Sequence, residues 1–65
     1  DIPRAYRMAM DHLRLVPGDP AGYLLLAETL YAAGRVDEAR GVAERLIALH
    51  PDYVPAAEFL HRLRQ

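Results

Sequence analysis

The sequence contains no cysteine, serine, lysine, asparagine or tryptophan. These absences remove disulfides, thiolate metal sites, serine and cysteine nucleophiles, Schiff-base lysines and the phosphate-loop lysine together. A dominant charge is also missing, since nine acids against eight arginines leave a formal charge of −1. So balanced a chain has no electrostatic footprint of a nucleic-acid binder. No apolar run approaches the roughly 20 residues of a membrane-spanning helix, and the N-terminus lacks a basic-then-apolar signal pattern. The expected chain is soluble, without membrane insertion, and leans toward the cytoplasm without specifying a compartment.

What remains is 65 residues, 52% hydrophobic and 26% charged, which suits one small domain or a piece of one. A domain of about 60 residues buries only about 60% of the surface its unfolded chain exposes. Without disulfides or a thiolate zinc site, stability must come from packed helices, self-association or neighbouring sequence. A start on Asp1-Ile2-Pro3 in place of Met makes neighbouring sequence credible.

Prolines and glycines divide the chain, and no stretch alternates apolar and polar residues as a half-buried strand would. Four helices are expected. The first runs from about Pro3 to Val16, with Ala5, Met8, Ala9, His12, Leu13 and Val16 on one stripe. Asp19 caps a second helix whose first position suits Pro20, and which runs to about Ala33. Gly34 ends it, Asp37 caps a third helix reaching about His50, and Pro51 closes that one. A fourth runs from Pro55 to the C-terminus, with Ala56, Phe59, Leu60 and Leu63 on one face. The second helix is apolar nearly all round, Glu28 being its single charge, so it should lie between neighbours.

Displacing the chain on itself by 34 residues pairs Ala5 with Ala39, Ala9 with Ala43, Leu15 with Leu49, Pro17 with Pro51 and Leu26 with Leu60. Ile2/Val36, Met8/Val42 and Leu13/Ile47 keep apolar character in the same register. Small residues recur where helices must approach closely, and proline recurs at the end of the same helix.

With these residues the sequence resembles the tetratricopeptide repeat family, whose 34-residue unit is a helix, a glycine-bearing turn and a second helix ending at proline. One full unit fits residues 20–53. Tyr23 falls at the large aromatic, Leu26 and Ala27 at the Leu-Gly pair, Gly34 at the turn glycine, Ala39 at the small residue and Pro51 at the closing proline. Residues 1–19 would be the second helix of a preceding repeat, and residues 54–65 a terminal capping helix. His61 stands where the complete unit has Ala27, so the array should end at this helix. Ala43, Leu46, His12 and the mid-helix Gly41 depart from the family pattern. The resemblance implies an all-α fold, four helices in antiparallel hairpins stacked as a short α-solenoid.

It also implies a non-catalytic protein-interaction scaffold that binds a partner peptide or helix in a concave groove. The first helix of each unit lines that groove, where Ala21, Leu24, Glu28 and Tyr31 share a face by helical spacing. Glu58, Arg62 and Gln65 extend it on the last helix. A known subfamily grips the C-terminal carboxylate of chaperones with lysines and asparagines, and this chain has neither. Leu24 and Tyr31 beside Glu28 and Arg62 suit an apolar or amphipathic segment. Leu24, Leu25 and Tyr31 could equally pack against a preceding repeat or another copy of the chain.

No cofactor or metal is expected, because His12, His50 and His61 sit on three helices and none has a second histidine at i, i+3 or i+4. No base, nucleophile and oxyanion donor converge, so no enzyme is expected. The arginines alternate with acids, Arg7 with Asp11 and Arg40 with Glu44, as on solvated faces. Two alternatives stand beside the scaffold. One is a self-association module using an N-terminal face with Tyr6 and Met10, giving a homo-oligomer. The other is a regulatory tail of a larger enzyme.

Overall fold

A computed structural model describes residues 1–64, which form α1 (Ile2–Leu15), α2 (Pro20–Ala32), α3 (Val36–Leu49) and α4 (Val54–Leu63), with no strand among them. Gln65 lies outside the described residues. Asp1 caps α1, its Oδ1 accepting from the Arg4 N–H at 3.4 Å. Asp19 caps α2, its Oδ1 accepting from the Ala21 N–H at 3.0 Å, and Pro20 follows where no donor is needed. Gly34 holds φ at 81°, a left-handed conformation that a β-carbon disfavours. It lets the Gly34 and Arg35 N–H groups donate to the Tyr31 and Leu30 carbonyls at 3.0 and 2.9 Å, closing the end of α2.

The third helix starts earlier than its aspartate suggested. Arg35 is the cap residue and Asp37 lies inside the first turn. Gly34 completes the reversal by itself, so helical geometry resumes at Val36, before Asp37 could cap anything. Asp37 and Glu38 still face the positive helix end, where carboxylates are favoured, and Arg35 donates to Glu38 Oε1 at 2.8 Å. The fourth helix likewise starts at Val54, ahead of Pro55, and ends at Leu63 with Arg64 as its cap.

The extensive helix contacts all join sequence neighbours: α1 with α2, α2 with α3, and α3 with α4. Ala27, Ala39 and Ala43 are fully buried and let α2 and α3 approach closely, and Leu30, Phe59 and Leu60 complete that core. Ala9 is fully buried on α1. Met8, expected on the same buried stripe, is 58% exposed, and Val16 is exposed too. One extensive neighbour covers a narrower strip of α1 than its apolar period defines. The chain measures 27 × 25 × 14 Å, and so thin a body leaves Leu15, Leu49 and Val54 in water.

At the α1–α2 junction, Gly22 is buried against His12 and Leu13, and a β-carbon there would stand 2.7 Å from His12 Cδ2. His12 Nε2 lies 2.7 Å from Asp19 Oδ2. An ionised carboxylate can only accept, so Nε2 carries the proton and donates. That hydrogen bond, followed by the one from the Ala21 N–H, holds the Asp19 carboxyl below the ordinary value of 3.8, against the opposing effect of desolvation. The surface ion pairs also differ from the expected Arg7–Asp11 and Arg40–Glu44. Arg14 bonds Asp11 at 2.6 Å and Arg40 bonds Asp37 at 3.2 Å, each arginine one turn after its acid. That order matches the helix field better than an arginine preceding its acid.

Two predictions follow from the glycines and the cap. Gly41 has open space around it, so Gly41→Ala should raise stability by about 1 kcal/mol through helix propensity. Gly34→Ala should lower it by about 1 kcal/mol through left-handed strain, and Gly22→Ala should lower it through the His12 clash; urea melts rank all three. Because the folded Asp19 carboxyl binds its proton less readily than the unfolded one, its contribution is complete above the unfolded value and disappears as pH falls through the lowered folded value. Asp19→Asn should therefore flatten the acid limb of the melting temperature against pH, and an unchanged limb would contradict the assignment.

Candidate functional site

The chain's repeat brings two equivalent strips face to face. Leu24 and Glu28 stand one turn apart on α2, and Glu58 and Arg62 one turn apart on α4, at the same two places in the 34-residue register. These four line one open groove of about 610 Å³. Pro55, Ala57 and His61 complete its lining and were not among the expected residues. Among the described residues neither Glu28 nor Arg62 has an ion-pair partner, and both charges face the opening.

Ala21 and Tyr31 do not line the groove. Ala21 is exposed at the start of α2. Tyr31 is 50% exposed, and its ring meets Phe59 edge to face, with centroids 6.0 Å apart and planes at 86°. The Arg62 guanidinium carbon lies 5.7 Å from the centroid of that same Phe59 ring. Phe59 is only 3% exposed, so it is a core residue that orients a groove cation from beneath. Such aromatic and cation–π contacts contribute on the order of 1 kcal/mol each. Tyr31 is thus tied to the groove through Phe59 and not through the groove wall.

A second opening, a crevice of about 560 Å³, lies between α1 and the C-terminal half of α2. Ile2, Tyr6 and Met10 from α1, Leu30 from α2 and Ala33 just after it give it an apolar floor, and Arg7, Asp11, Arg14 and Arg35 surround it. The exposed pair Tyr6 and Met10 was legible from helical spacing, but the crevice itself depends on how α1 crosses α2. Both openings present apolar side chains with carboxylates and guanidinium groups, a chemistry suited to binding a polypeptide. Among the described residues no group of three or more His, Asp or Glu could hold a metal ion. No described helix is long and apolar enough to cross a membrane.

The family model described as tetratricopeptide repeat matches residues 20–63. That span is more than half of the chain and takes in α2, α3 and α4, hence both walls of the groove; α1 lies before it. No curated protein and no solved structure matches the chain.

The positions of Phe59 and Arg62 separate support from surface. Phe59→Ala should cost about 3–5 kcal/mol, as for other buried aromatics, and unfold much of the population. Arg62→Ala should change stability by less than about 1 kcal/mol, since only an exposed cation–π contact is lost. Chemical denaturation of both variants checks the contrast.

Proposed function

Because the chain belongs to the tetratricopeptide repeat family, whose repeats generally mediate protein–protein interaction and are typically non-catalytic, we propose that it is a scaffold that binds a partner peptide or helix in the α2–α4 groove. The observation that carries this reading is the convergence of Leu24, Glu28, Glu58 and Arg62 on one opening from two helices. Leu24 supplies the apolar contact. Glu28, Glu58 and Arg62 set the register and charge preference of the bound segment. Packed helices hold these side chains in place before binding, so the receptor loses little freedom when a partner arrives. Tyr31 acts at the margin of the groove by bracing Phe59, and the exposed Ala21 is a candidate contact for a segment that extends beyond it.

The same reading treats residues 20–53 as one full repeat, residues 1–19 as the second helix of another, and residues 54–65 as a cap. The exposure of the polar residues His61 and Arg62 on α4 and of Arg64 just after it supports the cap, since an end helix needs polar surface. A second reading is self-association. It is favoured by exposed Met8, Leu15 and Leu25, which leave apolar surface along the α1–α2 edge.

A photoreactive phenylalanine at Ala57, which lines the groove and is exposed, should crosslink to a protein partner in cells. Leu24→Ala with Tyr31→Ala should reduce that crosslink about tenfold while far-ultraviolet circular dichroism stays constant. Loss of helicity in the double variant would make these residues core, and a crosslink joining two copies of this chain would favour self-association.

A further inference from the structure

The crevice between α1 and α2 is apolar where its counterpart one repeat later is charged. Moving 34 residues along the chain carries Tyr6 to Arg40, Met10 to Glu44 and Leu30 to Arg64. At the later place Arg64 and Glu44 approach to 3.9 Å as an ion pair, and Arg40 bonds Asp37. This is an ordinary solvated surface. At the earlier place Met10 and Leu30 share a crevice with Ile2 and Tyr6. Ile2, Tyr6 and Met10 remain 41%, 42% and 40% exposed. At Tyr6 and Met10 the fold does not require an apolar side chain, since the chain builds the same helix pair with Arg40 and Glu44 thirty-four residues on; Ile2 keeps an apolar counterpart in Val36, and Leu30 also belongs to the α2–α3 core.

The rim adds a preference of sign. Arg7, Arg14 and Arg35 outnumber Asp11 three to one around the crevice, in a chain whose formal charge is −1. Arg14 bonds Asp11 and Arg35 bonds Glu38, but Arg7 has no ion-pair partner among the described residues. The shape adds a preference of form. Ile2, Tyr6 and Met10 are four residues apart in sequence and form a ridge roughly 12 Å long at 1.5 Å per residue. A helix with large apolar side chains one turn apart seats along such a ridge.

We propose that the α1–α2 crevice docks an amphipathic helix of a partner protein, with large apolar side chains at one-turn spacing and carboxylates flanking them. A second copy of the chain is a poor match. The large apolar residues exposed on α2, α3 and α4 are Leu25, Tyr31, Leu49 and Val54, and no two of them stand one turn apart on a helix. Only α1 carries that spacing, and its flanks are rich in arginine. The crevice shares no lining residue with the α2–α4 groove, so this docking site stands independently of the groove.

The test uses the full chain and a labelled alanine-based peptide helix with leucines one turn apart and glutamates beside them, and a twin in which every glutamate is lysine. Fluorescence anisotropy should show saturable binding of the glutamate peptide, about tenfold tighter than the lysine twin. Tyr6→Glu and Met10→Glu, both at exposed positions, should each weaken it at least tenfold with helicity unchanged, and Arg7→Glu should erase the difference between the twins. Equal binding of the twins, or unchanged binding by Tyr6→Glu and Met10→Glu, would overturn the proposal. Loss of binding in Glu28→Lys would place the peptide in the other groove and overturn it as well. Sedimentation showing a dimer that Met10→Glu dissociates would make the occupant a second copy and overturn the partner assignment.

Discussion

Everything else in this chain depends on how closely α2 and α3 can approach. Ala27 on one side and Ala39 and Ala43 on the other have no exposed surface, so small side chains stand where the two helices pack. Extra methylenes at such a contact typically cost 1–3 kcal/mol through strain. The seam makes α2 and α3 the central pair, with α1 packed on α2 and α4 on α3. Phe59 can then reach into the α2–α3 core from α4, and by doing so it positions Arg62 above and Tyr31 beside its ring. The groove is therefore a by-product of three alanines and one phenylalanine. The α1–α2 contact obeys the same rule with glycine, because His12 and Leu13 occupy the volume a β-carbon at position 22 would need.

Much of this architecture is written along single helices and can be read there. The recurrence of Ala5 and Ala9 as Ala39 and Ala43 marks the helix contacts, Asp19-Pro20 marks a helix start, and Gly34 marks a reversal. What escapes such reading lies between helices. Helical spacing puts Leu24, Glu28 and Tyr31 on one face, but the angle at which α4 crosses decides that Leu24 and Glu28 line the groove while Tyr31 abuts Phe59. The hydrogen bond from His12 to Asp19 spans a turn, and no periodicity reports on it. Asp37 misled because aspartate favours caps and first turns alike; only the geometry after Gly34 separates the two. The arginine pairings escaped for a simpler reason, since several acids lie within reach of each flexible guanidinium.

The two openings divide the chemistry of the surface in a way the overall composition hides. Near-neutral net charge suggests a uniform exterior. Yet Glu28 and Glu58 face one opening with a single arginine, while three arginines surround the other with a single aspartate. A chain without lysine presents its positive charge only as planar guanidinium groups, which meet carboxylates through paired hydrogen bonds more readily than ammonium groups do. Charge segregation of this sort selects partners more than it strengthens their binding.

Packing restricted to sequence neighbours also sets the order in which parts of the molecule loosen. In a linear stack each helix is held by what lies on either side, and end helices fluctuate open at lower free energy than central ones. Among the described residues α1 and α4 each have one extensive neighbour, whereas α2 and α3 each have two. Movement of α1 would reshape the crevice it forms with α2, and movement of α4 the opening between α2 and α4. The two openings therefore loosen through different helices. A molecule seated against α1 would slow local opening there and register as amide protection in that helix.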